Sequence, residues 1–245
     1  MRHNWSWKAG TKCFVVGVLV LGLTVGLAPV VRAASIPITA VDGTWSNAVP
    51  PSVTINNGVN PRTARWGDSA DTGQSGYDWM PRLTPFDVQS DGTVFSLGTF
   101  AHLNFPIFPP SLESIDLDFS MAIDGLSPLT GAFHFIHNET PNVELCDPSG
   151  GTVCPDVVTV SSPFLNTPFN LGGTDYYFSL LGFSQASGIT IKTQFVTEEG
   201  QQNFAGLYGV ITETPINGKV PEPASLLLLG GGLVGLIGFR RKFRK

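Results

Sequence analysis

The chain has 245 residues, of which 42% are hydrophobic and only 13% charged, and its formal net charge is −5. Between the two ends, residues 35–220 hold five Lys and Arg against eighteen Asp and Glu, a net of −13. That charge opposes binding to nucleic acid or to an anionic membrane surface, and no repeat of about 20–50 residues marks a solenoid or propeller.

Arg2, Lys8 and Lys12 form a positive start, and Cys13 to Val31 is an apolar run broken only by Thr24 and Pro29. Val31-Arg32-Ala33 then offers small or aliphatic groups where a signal peptidase reads. Residues 1–33 are expected to be a secretory signal peptide, cut after Ala33 or Ala34. Cys13 opens the apolar run and leaves with it. With basic residues at both ends held inside, everything between them is exported.

The exported body is long enough for one domain with a sizeable core, expected over 34–211. Long helical periodicity is missing. Short strands are expected at Val53-Thr54-Ile55, at Arg62 to Trp66 and at Val94 to Phe105. The clearest is Ile115, Leu117, Phe119, Met121 and Ile123, alternating with Asp116, Asp118, Ser120, Ala122 and Asp124, and ended by Asp124-Gly125. Phe133 and Phe135 alternate with His134 and Ile136. Tyr176 to Phe183 is another apolar strand. Ile189, Ile191 and Thr193 alternate with Thr190, Lys192 and Gln194, then Glu198-Glu199-Gly200 turns the chain into Phe204 to Ile211. Many short strands separated by turn signals predict an all-β sandwich, jelly-roll or immunoglobulin-like. Thr212 to Val220 reads as a polar, proline-bearing spacer.

Candidate chemistry is sparse. Asp68, Asp71 and Asp78 lie in a glycine-rich stretch with Trp66, Tyr77 and Trp79, read as a loop whose rings either stack on sugars or pack as core. Asp116 and Asp118 share a strand face, with Asp124 at its end. Neither acidic group has the spaced pattern of a calcium loop, so calcium is the lesser reading and a solvated acidic face the main one. His134 and His137 would face opposite sides of a strand, which argues against a shared zinc; His102 is a third candidate that sequence cannot place. No metal is expected. Gly182-Phe183-Ser184-Gln185-Ala186 lacks the second glycine of a nucleophile elbow and the α/β context it needs. Cys146 and Cys154 flank Asp-Pro-Ser-Gly-Gly-Thr-Val; in an oxidising compartment a disulfide is the expected reading, with a metal or redox pair as the other.

Residues 221–245 carry three parts in order. Pro221-Glu222-Pro223 holds the backbone extended. Ala224 to Phe239 is uncharged, and as a helix would span roughly 24 Å against a bilayer core of about 30 Å. Arg240, Arg241, Lys242, Arg244 and Lys245 would stay on the cytoplasmic side. Together they resemble the PEP-CTERM sorting signal of Gram-negative bacteria. The resemblance implies a transmembrane sorting helix and processing near the triplet by an exosortase, after an inner-membrane-anchored intermediate.

Leu97-Gly98-Thr99-Phe100-Ala101-His102-Leu103-Asn104-Phe105-Pro106-Ile107 resembles the segment that names the THxN group of PEP-CTERM proteins, related to the choice-of-anchor K domain. Gly43-Thr44-Trp45, Arg65-Trp66-Gly67, Glu139-Thr140-Pro141-Asn142 and Cys154-Pro155-Asp156 extend the similarity. Ala101 stands where the group has Thr. The resemblance implies an exported binding or structural module and carries no activity. His102 and Asn104, at i and i+2, share one strand face. They either hydrogen-bond a ligand such as a sugar hydroxyl or tie a neighbouring loop within the fold, and the second is the main reading. The expected function is a non-catalytic structural or adhesive protein of the cell surface or extracellular matrix. A module binding exopolysaccharide is the alternative, and an exported hydrolase the third reading.

Overall fold

Alternation along residues 115–124 commits that segment to a strand with one dry face. The computed structural model describes residues 33–70, 73–140, 145–147, 152–161 and 165–216, and these form strands, turns and connections without a helix. In chain order the strands are β1 (Ser35–Val49), β2 (Thr54–Asn56), β3 (Arg62–Trp66), β4 (Asp68–Ser69), β5 (Ser75–Pro81), β6 (Phe86–Gln89), β7 (Phe95–Asn104), β8 (Ile107–Phe108), β9 (Ser114–Ile123), β10 (Leu129–Asn138), β11 (Leu145–Asp147), β12 (Thr152–Val153), β13 (Asp156–Ser161), β14 (Thr167–Leu171), β15 (Thr174–Ser184), β16 (Gln194–Thr197) and β17 (Gln201–Thr212). One sheet has the order β16-β13-β10-β9-β1-β6 and the other β14-β15-β17-β7-β5-β3-β2; β4-β8 and β11-β12 are small ribbons.

The two large sheets share one core. Ile115, Leu117, Phe119, Met121 and Ile123 of β9 are buried, as are Phe133 and Phe135 of β10. Phe135 stacks on Phe100 of β7 in the opposite sheet, with ring centroids 5.3 Å apart and an interplanar angle of 4°. Trp45 of β1 meets Tyr77 of β5 at 5.9 Å. The rings of Trp66, Tyr77 and Trp79 are all buried.

Several expectations need correction. The stretch from Trp66 to Trp79 is not one loop: Trp66 ends β3, and Tyr77 and Trp79 sit on β5 with their rings in the core. Asp78, on the other face, binds Arg65 at 2.6 Å. Asp71 lies outside the described residues. Ile189 to Thr193 is not a strand. It is a bent connection with Ile189 exposed, joined to β15 only by the Phe183–Lys192 bridge, and β16 begins at Gln194. The spacer does not begin at Thr212, which closes β17. Ile216 is buried, and its amide donates to Asn166 Oδ1 at 2.6 Å, so the chain stays on the domain to at least that point.

The long β1 escaped sequence reading for a local reason. Its pairing with β9 shifts register between Ile38 and Ala40. Ile36 and Ile38 are buried before the shift, and Val41 and Trp45 after it. The irregularity changes the parity of the buried face and erases a single period-2 pattern.

Candidate functional site

One end of the core is polar. Alternation on β7 turns His102 and Asn104 inward, and both are fully buried. The same alternation on β10 carries the face of Phe133 and Phe135 on to His137. Asp156 opens β13 directly opposite Thr197, the last residue of β16, and both are fully buried. Beyond Thr197 the chain turns through Glu198 and Glu199 at Gly200, whose φ of 75° suits glycine. The Gly200 amide then donates to the Asn104 carbonyl at 2.8 Å.

His102 therefore meets His137 across the two sheets, with ring centroids 5.0 Å apart and nearly perpendicular planes. Thr197 Oγ1 donates to the Asp156 carbonyl at 3.3 Å, so its lone pair is free to accept from His102 Nδ1 at 2.8 Å. That assigns the proton to Nδ1 and leaves Nε2 with a lone pair. The Asn104 amide donates to the Thr197 carbonyl at 3.2 Å. His137 Nδ1 lies 2.7 Å from the Tyr77 hydroxyl, and its Nε2 lies 3.0 Å from Glu139 Oε2 and 3.7 Å from Asp156 Oδ2. Thr140 holds the other Asp156 oxygen through its amide at 2.8 Å.

Burial sets the electrostatics. It drives His102 well below the ordinary imidazole range, and the neighbouring His137 adds to this. Burial and then the Glu139 charge raise Asp156 to about 6, against the Thr140 amide. Glu199 rises to about 7, again by burial first and then by Asp156, against a hydrogen bond from Asn104. Tyr77 is pushed well above its usual value by burial, then by Asp156 and Glu139, so it remains a phenol. Two sets of ligand atoms each lie within 4.8 Å of one another: His102, His137 and Asp156, and Glu139, Asp156 and Glu199.

The other candidates lie elsewhere. His134 faces away from His137 and bonds Asp116 at 2.6 Å, which also accepts from Asn47. Asp116, Asp118 and Asp124 form no metal-ligand group among the described residues. Ser184 Oγ accepts from the Ala186 and Gly188 amides, closing the turn after β15. Cys154 is buried and disulfide-bonded, while the Cys146 side chain lies outside the described residues. Ala33 and Ala34 precede β1, and the Ala34 amide donates to Ser90 Oγ at 2.9 Å. Residues 1–32 and 217–245, with Pro221, Glu222 and Pro223, lie outside the described residues.

Sequence reading singled out His102 and Asn104 but did not assemble their partners. Glu139, Thr140 and Asp156 stood only as parts of longer segments, Glu199 stood as part of a turn, and Thr197 was not singled out. The available signal was the expected THxN similarity, whose segments contain His102, Asn104, Glu139, Thr140 and Asp156. These segments are far apart in the chain and converge at one end of the core.

Residues 219–242 match the PEP-CTERM protein-sorting motif. The match decides the direction of travel. It covers the Pro221-Glu222-Pro223 triplet, the apolar stretch and the first basic residues. The motif indicates export and sorting by an exosortase through a membrane-anchored intermediate. No curated protein matches the chain. Among the described residues no helix is long and apolar enough to cross a membrane.

Proposed function

We propose that this is a non-catalytic structural or adhesive protein of the cell surface or extracellular matrix, a β-sandwich domain delivered there by its C-terminal sorting signal. The sorting motif at residues 219–242 carries the reading. An antiparallel body with acidic outward residues such as Asp118 and Asp175 is suited to remaining soluble after release. The similarity of the body to the THxN and choice-of-anchor K groups supports the same reading. Exopolysaccharide binding through the aromatic stretch is disfavoured, because Trp66, Tyr77 and Trp79 have no exposed ring face to stack on a sugar.

The test is replacement of Pro221-Glu222-Pro223 by three alanines in the native host, followed by fractionation. The expected result is unprocessed protein accumulating in the inner membrane and lost from the surface and medium. Unchanged release would overturn the proposal. The intact mass of the released wild-type protein should lack both the signal peptide and the segment after the triplet.

A further inference from the structure

Buried polar atoms in folded proteins almost always have partners. Among the described residues, eight buried side-chain nitrogen and oxygen atoms have none. Four of these are His102 Nε2, Asn104 Oδ1, Glu139 Oε1 and Asp156 Oδ2, and all belong to the cluster between β7, β10, β13 and the turn after β16. Each presents a lone pair. The His137 Nε2 ring nitrogen beside them already pairs with Glu139 Oε2 at 3.0 Å, and acceptors left over around such a pair repel one another unless something positive sits among them.

We propose that this cluster is a structural binding site for one divalent first-row transition cation of the zinc class, with His102 Nε2, His137 Nε2 and an Asp156 oxygen as ligands and Glu139 as the fourth. Three features support it. The ligand atoms of His102, His137 and Asp156 already lie within 4.8 Å of one another, so side-chain shifts of about an ångström bring them to the roughly 2.0–2.2 Å that such donors keep from a shared ion. Both imidazoles are held at Nδ1 by a hydroxyl, His102 by Thr197 and His137 by Tyr77, so that Nε2 is the atom each offers. Oriented histidines of this kind mark metal sites, where a second partner fixes the ring and its tautomer. Mixed imidazole and carboxylate donors suit zinc and its neighbours better than calcium, which takes six to eight oxygens.

The His102, His137 and Asp156 side chains have little or no contact with solvent. A closed four-ligand arrangement is the structural kind of zinc site, not the kind that keeps a position open for substrate. The ion would join β7 of the seven-stranded sheet to β10 and β13 of the six-stranded one. Its binding would displace the proton shared between His137 Nε2 and Glu139, so uptake releases protons.

The experiment uses the full-length protein in detergent, stripped with a chelator and dialysed against zinc chloride, calcium chloride or metal-free buffer. Metal content and melting temperature are then measured. The expected result is about one equivalent of zinc retained, a higher melting temperature than the stripped protein, and no comparable rise with calcium. His102→Ala should lose the stoichiometric zinc, whereas His134→Ala, on the outer face, should keep it. Thr197→Val keeps every ligand and should weaken zinc affinity by roughly 10–100-fold through loss of the Nδ1 partner. If His102→Ala does not fold, the wild-type metal content and the Thr197→Val affinity still decide the matter. Less than stoichiometric zinc after loading, a melting temperature indifferent to zinc, stabilisation by calcium alone, or zinc retained fully by His102→Ala would each overturn the proposal.

Discussion

Individual side chains show how the two sheets hold together. Phe100 and Phe135 stack almost parallel across the core, each fully buried. Phe135 also meets Trp45 at 5.6 Å and Phe183 at 6.0 Å, so one ring touches residues from three other strands. Replacing it by alanine removes apolar contact and leaves a cavity that a β-core closes poorly. Phe135→Ala is expected to cost about 3–5 kcal/mol, read as a lower urea midpoint with an unchanged slope. At this scale sequence reading succeeded where the pattern was strict. Phe133 and Phe135 follow plain period-2 alternation and are buried. His137 continues that alternation, yet residue type alone does not say whether an inward histidine meets a hydroxyl, an acid or another histidine.

At the scale of elements, irregularities did the hiding. β9 was legible because its pattern runs from Ile115 to Ile123 without a break. β1 was not, since its register shift swaps the inward parity partway along. β15 carries a similar shift between Leu180 and Gly182. Gly182 has a φ of 126° there, and a side chain at that position would run into the Lys192 carbonyl. Gly182→Ala therefore forces a residue with a Cβ into a backbone state that suits glycine, and pushes on the Phe183–Lys192 bridge. It is expected to destabilise by roughly 1–3 kcal/mol and to speed proteolysis in the connection between β15 and β16, checked by urea denaturation and limited digestion. The same connection explains the false strand at Ile189 to Thr193. Its apolar residues alternate, but Ile189 points to solvent, and the chain rejoins the sheets only at Lys192, which bridges Phe183, and Thr193, whose carbonyl accepts from the Val160 amide.

On the scale of the whole molecule, the C-terminal motif at residues 219–242 indicates export and sorting, and the body must survive after delivery. Cys154 lies just before Asp156 and is disulfide-bonded, while Thr140 Oγ1 donates to its carbonyl at 2.6 Å. A bond to Cys146 would close a short loop beside the polar cluster. Reduction with a phosphine, which avoids the zinc-chelating dithiols, is expected to lower stability by about 2–3 kcal/mol. The check is the melting temperature with and without reductant, together with alkylation of both thiols. A native exported protein whose Cys146 and Cys154 alkylate without reductant would contradict this. The sequence by itself determined the sorting signal, because its triplet, apolar stretch and basic end are contiguous and need no fold to be read. It also determined the β class, because period-2 burial is a local property of the chain. Only the tertiary structure decided what stands beside His102. His137, Asp156, Thr197 and Glu199 come from separate strands and turns, and antiparallel pairing with face-to-face packing brings their polar atoms into the same few ångströms. No spacing along the chain encodes that distance.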